Sequence, residues 1–134
     1  MLAHDKRMLI SFIMQALKNK SITIFGDGTQ TRSLCYIDDM VEGLIRLMFY
    51  PNTNQKIVNL GSTEEHSVME YANIVKKLLG SKSEITCSEQ LPTDDPKKRR
   101  ADITQAKTLL QWEPTTSLEV GLKNTIEYFK VTSS

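Results

Sequence analysis

ITIFGDGTQTRSLCYIDDMVEGLIRLM, residues 22–48, sets the reading of this chain. Ser21-Ile22-Thr23-Ile24-Phe25 alternates polar and apolar side chains and is rich in β-branched residues, the pattern of a strand. Gly26-Asp27-Gly28 follows as a turn, because glycine tolerates positive φ. Thr31 to Tyr36 reads as a second short strand. Asp38 or Asp39 then caps a helix whose apolar face is Val41, Leu44, Ile45 and Met48. Pro51 stops that helix.

Working outward, Asp5 can cap a helix running to about Lys18, with Leu9, Ile13, Ala16 and Leu17 as its buried stripe. Asn19-Lys20 ends it. On the other side, Lys56 to Leu60 (KIVNL) reads as a short buried strand closed by Gly61. Ser67 and Glu70 have capping-box spacing. The helix they start carries Tyr71, Ile74, Val75 and Leu78 on one face and ends at Gly80. Glu84 to Cys87 fits another strand. Leu91 to Arg100 is polar, charged and proline-bearing, hence a loop. Asp102 caps a short helix through Leu110. Thr116 and Glu119 form a second capping box, and Leu118, Leu122, Ile126 and Phe129 make the face of the last helix. The expected class is α/β, mostly helices with short strands between them, in a single lobe over residues 1–134 with no interdomain linker. Amphipathic helices of this kind need something to pack on, and the longer parallel sheet that usually supplies it is not in the pattern.

Composition narrows the function. The chain has 134 residues, 40% hydrophobic and 25% charged, with a net charge of +1. Such a balance gives no support to a nucleic-acid partner, which calls for a clear basic excess. No apolar run is long enough for a membrane span, so the location expected by default is cytoplasmic, with a membrane or secretory-pathway location open if an amino-terminal anchor is missing. Cys35 and Cys87 have no partner at metal-ligand spacing and read as buried reduced thiols; no metal site is expected.

Three constellations can carry chemistry. In Thr23 to Arg32, an aromatic at a strand end can pack on a flat base, glycines let backbone approach a ligand, and an arginine offers forked donors to phosphate. A plain hairpin with a solvated arginine satisfies the same residues. In Asp94-Asp95-Pro96-Lys97-Lys98-Arg99-Arg100, four cations make either an anion site or a solvated run. In Val58-Asn59-Leu60-Gly61, the asparagine is a turn former or a ligand contact. His4 and His66 belong to no catalytic set. Gly26 and Gly28 lack the third glycine of a dinucleotide fingerprint. No Tyr-x-x-x-Lys occurs, since Tyr36, Tyr50, Tyr71 and Tyr128 are followed four residues on by Met40, Asn54, Val75 and Thr132.

In this order, ITIFGDGTQTRSLCYIDDMVEGLIRLM, IVNLGSTEEHSVMEYANIV and DDPKKRRADITQAKTLLQWEPTTSLEVGLKNTIEYF resemble the carboxyl-terminal part of the extended short-chain dehydrogenase/reductases that act on nucleotide sugars. The likeness runs from about Asp5 to Lys130. DDPKKRRADI with Trp112-Glu113-Pro114 is most similar to the UDP-glucuronate decarboxylase (UDP-xylose synthase) branch. The dTDP-glucose 4,6-dehydratases and UDP-sugar 4-epimerases are the neighbouring branches.

The resemblance implies a substrate-binding lobe of a Rossmann-type enzyme whose NAD-binding half is missing, upstream of Met1. It implies that Thr23 and Phe25 lie along the nucleotide base and that Arg32 reaches the phosphate or sugar acid. It places Asn59 by the diphosphate and Arg99, with Arg100 as the alternative, as a clamp from the other side. In the family, NAD oxidises the sugar at C4, carbon dioxide leaves the adjacent carbon, and NADH reduces C4 again, with a tyrosine as base. This chain holds none of those reacting groups, so no catalytic residue is expected in it, beyond Arg32 orienting substrate, and no NAD is expected to bind it alone. The implied ligand is a UDP-sugar, and the parent family is usually a homodimer. A non-catalytic nucleotide-sugar-binding or protein-interaction module is the alternative.

Overall fold

A computed structural model describes residues 7–51, 53–54, 56–88 and 100–132. Among the described residues five helices and four short strands follow in the order α1 (Met8–Leu17), β1 (Ile22–Phe25), β2 (Thr31–Arg32), α2 (Ile37–Phe49), β3 (His66–Ser67), α3 (Val68–Leu79), β4 (Ile85–Ser88), α4 (Thr104–Leu110) and α5 (Leu118–Thr132). They fall into two compact units. The first takes its described residues from 1–31, 66–97 and 122–134, the second from 32–65 and 98–121.

The first unit is organised by β1. It pairs in parallel with β4 in the register Ile22↔Ile85 to Phe25↔Ser88. Backbone bonds from Ile22 to Glu84 (2.8 Å) and from Gly26 to Ser88 (2.7 Å) extend the ladder at both ends. The hairpin alternative for Thr23–Arg32 is not formed, because the partner of β1 comes from the far side of α3. Ile22 and Ile24 are fully buried, and β1 packs on α1 and α3. Ile10 and Ile13 of α1 and Tyr71 and Val75 of α3 are likewise sealed from solvent, each stabilising the unit by roughly 1.5–3 kcal/mol. Leu122, Ile126 and Phe129 of α5 are buried as their spacing requires.

Three of its helix ends are as the sequence reads them. Asn19, at φ 52°, ends α1, where the Ser81 hydroxyl donates to the Ala16 carbonyl (2.8 Å). The Ser67–Glu70 capping box is complete, and α3 closes on Gly80 in the left-handed region. The Asp5 cap lies outside the described residues, and Arg7 is the residue preceding α1.

The second unit is built around Trp112. Its core is Ile103, Ala106, Leu110 and Trp112, with Cys35, Leu47, Tyr50, Val58, Leu60 and Ala101 packed against it. The Trp112 indole N–H donates to the Asp39 carbonyl at 2.9 Å. The Asp39 carboxylate accepts from the Thr115 hydroxyl (3.1 Å) and the Thr116 backbone N–H (2.9 Å). A Cβ on Gly43 would stand 3.0 Å from the indole and 3.1 Å from Leu60, so any side chain here would press on both. Arg46 donates to the carbonyls of Leu110 (3.1 Å) and Gln111 (2.6 Å), closing the carboxyl end of α4.

These contacts overturn several expectations. Val41, Leu44, Ile45 and Met48 are not buried; α2 turns Asp39 and Gly43 inward instead. The face that fits the indole and supplies an acceptor to Thr115 and Thr116 wins over the more apolar one. Asp38 and Asp39 therefore do not cap α2, which starts after Tyr36 without a side-chain cap. Thr116 likewise spends its N–H on Asp39, and the Ser117 hydroxyl accepts from Val120 at the start of α5 (3.3 Å). Asp102 accepts from Thr104 N–H (3.0 Å) and hydroxyl (2.6 Å) and steadies the start of α4. The second strand shrinks to Thr31–Arg32. Lys56–Leu60 forms no strand, and Ile57 is 88% exposed, since no partner strand exists for it among the described residues. The thiols are not both buried: Cys35 is half-buried and Cys87 exposed. Burial first, and the Asp39 charge second, push the Cys35 thiol's pKa up.

Two outcomes follow from the Trp112 core. Gly43→Val should lower the urea midpoint and cost about 1–3 kcal/mol by overpacking; an unchanged midpoint would contradict the close approach. Burial raises the pKa of Asp39, but hydrogen bonds from Thr116 and Thr115 outweigh it and hold the carboxyl below its ordinary value. A depressed folded-state pKa gives stability that is complete above the unfolded value, about 3.9, and is lost as pH falls through the folded one. Asp39→Asn should therefore destabilise the chain at pH 7 by about 1–3 kcal/mol and flatten its acid-dependent loss of stability. Unfolding curves at pH 7 and pH 3 check both, and an equal penalty at the two pH values would refute the assignment.

Candidate functional site

The alternation of β1 divides its side chains between two faces. Ile22 and Ile24 enter the core, while Thr23 is half-buried and Phe25 is 55% exposed on the opposite face. Gln15 of α1 fixes Thr23: its Oε1 accepts from the Thr23 N–H at 3.0 Å, and its Nε2 lies 3.5 Å from the threonine hydroxyl. Sequence reading gave Gln15 no role. The carbonyl of Phe25 accepts from the buried Gln30 amide at 2.8 Å. A rigid strand end thus presents one aromatic ring and one hydroxyl-bearing residue side by side.

The turn after β1 is pinned from within. Gly26 and Gly28 adopt φ 84° and 81°, and Asp27 accepts from the Thr29 N–H (2.9 Å) and hydroxyl (2.6 Å). The carbonyls of Gly28 and Gln30 accept from Met69 (3.1 Å) and Val68 (2.9 Å) at the start of α3. With the Glu70 N–H taken by the Ser67 hydroxyl, the first donors of α3 are spent on protein. This glycine turn therefore does not offer the open helix N-terminus on which a dinucleotide's pyrophosphate rests. The Gly26–Gly28 turn is therefore not a pyrophosphate loop of the kind that holds NAD.

The second unit carries the candidate arginines Arg32 and Arg100. Arg32 is half-buried in β2, and Asn59 is exposed just ahead of Gly61, where an added Cβ would come within 2.9 Å of Ala101. Arg100 is exposed on an open cavity of about 430 Å³ that Thr63, Asp102, Thr104 and Lys107 also line. Hydrogen bonds from the Thr104 hydroxyl and N–H, and more weakly the Arg100 charge, hold the Asp102 carboxyl below its ordinary range. Thr63, Thr104 and Lys107 were not singled out in the sequence. The one available signal was Asp102-Ile103-Thr104, an acid poised to bond the residue two ahead. Arg32 and Asn59 do not line this cavity, and Arg99 lies outside the described residues. The expected set is thus divided, with Thr23 and Phe25 together in the first unit and Arg32, Asn59 and Arg100 in the second. Among the described residues no group of acidic, histidine or cysteine side chains could hold a metal, and no helix is long and apolar enough to cross a membrane.

Known proteins share both sequence and fold. Residues 2–61 match the model of the NAD dependent epimerase/dehydratase family. UDP-glucuronic acid decarboxylase 1 of Danio rerio is 46% identical over 127 residues, which are 94% of this chain and 29% of that protein. An epimerase of Methanothermobacter thermautotrophicus superposes with a TM-score of 0.91 at 27% identity, over 96% of this chain and 38% of its own. UDP-glucuronic acid 4-epimerase of Bacillus cereus, solved in complex with UDP-glucuronic acid and NAD, does so at 0.88 and 35% identity, over 95% and 40%. The chain thus spans less than half the length of each of these proteins. With the family's pattern in residues 2–61 and its fold over nearly the whole length, the chain is similar to one part of the NAD dependent epimerase/dehydratase enzymes.

Proposed function

We infer that this chain is the substrate-binding part of an NAD-dependent UDP-glucuronate decarboxylase, an enzyme that makes UDP-xylose, and that it turns over no substrate by itself. The observation that carries this reading is the outer face of β1, where Thr23 and Phe25 stand side by side on a strand end braced by Gln15 and Gln30. An exposed aromatic next to a threonine suits the flat face and polar edge of a uracil. The 46% identity to a UDP-glucuronic acid decarboxylase supports the choice of branch.

The remaining roles follow from charge. A nucleoside diphosphate carries several oxygens, and forked guanidinium donors bind more than one at a time. Arg32 and Arg99 or Arg100 take the diphosphate or the sugar acid, and Asn59 adds a neutral donor. Lys107 and the Thr63 hydroxyl, beside Arg100, widen the choice of donors for the same anion. These groups bind and orient. None of them is a base placed to take a hydroxyl proton, and binding without reacting groups gives no turnover. The oxidation and re-reduction of the sugar belong to the part of the enzyme that this chain does not span, as does the holding of NAD.

Titration of the purified chain with UDP, and with NAD in parallel, tests this. UDP should bind and NAD should not. Arg32→Ala or Arg100→Ala should weaken UDP by about 1–3 kcal/mol, the loss of a charge-assisted hydrogen bond. Phe25→Ala should weaken it by about 0.5–1.5 kcal/mol, with little change in the melting temperature because the ring is largely exposed. A folded chain that ignores UDP, or binds it equally well without these side chains, would sink the assignment.

A further inference from the structure

Two bonds tie Gln15 of α1 to Thr23, and together they decide which way the threonine hydroxyl faces. The ladder to β4 takes the N–H groups of Ile22 and Gly26, so that of Thr23 points to the opposite edge of β1. There it donates to Gln15 Oε1 at 3.0 Å. That bond fixes the orientation of the amide, because the reverse orientation would set its amino group against an N–H. Nε2 is therefore the atom that faces Thr23 Oγ1, 3.5 Å away. An amide nitrogen has hydrogens to give and no lone pair to offer. The Thr23 hydroxyl thus accepts from Gln15 and cannot return its own proton to it. Among the described residues that proton meets no acceptor, and Thr23 is only half-buried.

The hydroxyl is held as a donor beside the exposed Phe25 ring. With a uracil on that ring, the donor meets the edge of the base. Uracil carries two carbonyls. One adjoins the ribose-bearing nitrogen and is crowded by the sugar, while the other lies at the far edge and is open to a side chain. Cytosine has an amine in place of that second carbonyl. A fixed donor bonds the carbonyl but is left facing another donor by the amine. A polar mismatch of this kind discriminates more strongly than a small change of shape.

We propose that Gln15 is a positioning residue for base selection: by donating to Thr23 Oγ1 it turns the threonine hydroxyl outward as a donor, and the site so polarised takes a uracil nucleotide in preference to its cytosine counterpart. Gln15 acts through Thr23 and not on the ligand. The proposal rests on the assignment of Thr23 and Phe25 to a nucleotide base, and it adds the residue that sets which base.

The test titrates the folded chain with UDP and with CDP at neutral pH and reads the ratio of the two affinities. The chain should bind UDP about tenfold more tightly or better. Gln15→Glu keeps an acceptor for the Thr23 N–H and puts a second one where Nε2 stood, so the hydroxyl proton turns inward and lone pairs face the base. The ratio should fall by about tenfold, through weaker UDP and tighter CDP binding together, an exchange that mere loosening of the strand does not produce. Gln15→Met, of similar length but without either polar atom, frees the hydroxyl to rotate and should also lower the ratio; it serves where Gln15→Glu does not fold. Thr23→Val should abolish the preference and Thr23→Ser retain it. In the Thr23→Val background Gln15→Glu should shift the ratio by less than about twofold, the mark of a residue that acts only through Thr23. Equal binding of UDP and CDP by the unaltered chain, or a ratio that the Gln15 variants do not move, overturns the proposal and leaves the assignment of the base site intact. A folded chain that binds neither nucleotide overturns both.

Discussion

Trp112 and Asp39 lie 73 residues apart in the chain, and the hydrogen bond between the indole and the Asp39 carbonyl is buried. Everything in the second unit is arranged around that contact. An indole N–H removed from water needs an acceptor, and the first turn of α2 supplies it. Reaching it requires α2 to approach the ring flat, which the missing side chain of Gly43 permits. Once there, the Asp39 carboxylate meets Thr115 and Thr116, and Arg46 meets the last carbonyls of α4. Hydrogen bonds to buried groups cost more when broken than they return when made, so this set fixes the rotation of α2 more firmly than hydrophobicity does.

The first unit follows the simpler logic of burial. A strand with two isoleucines on one face and Thr23 and Phe25 on the other can only be placed one way round. That placement fills the core between α1 and α3 and turns Thr23 and Phe25 away from it at the same time. The Gly26–Gly28 turn then hands its carbonyls to the start of α3, which stabilises the unit and removes that helix end as a phosphate site. The same residues that make the strand end stiff are therefore the ones that keep it from being a cofactor loop.

The division of labour in the proposed enzyme follows from this. In that proposal the chain offers a ligand shape, aromatic surface and positive charge, which act on a ground state and a transition state alike, and the chemistry that distinguishes them is assigned to the portion it does not span. The solvent-facing apolar stripe of α2 and the strandless segment after it show where the chain's own packing stops.

Most of the local structure was legible in the sequence. The β1 strand, the Gly26-Asp27-Gly28 turn, the Ser67–Glu70 capping box, the Gly80 stop and the buried stripe of α5 all depend on neighbours within a few positions. The family likeness was legible too, because its motifs are runs of contiguous residues. Tertiary structure alone decided which side of α2 faces inward, that β1 pairs with β4, that Ser117 and not Thr116 serves α5, and that Thr63 joins the Arg100 segment. Each of those outcomes turns on a partner dozens of residues away. A helical wheel ranks faces by apolarity, whereas the folded chain chose the face of α2 that leaves no buried indole, carboxylate or carbonyl without its hydrogen bond.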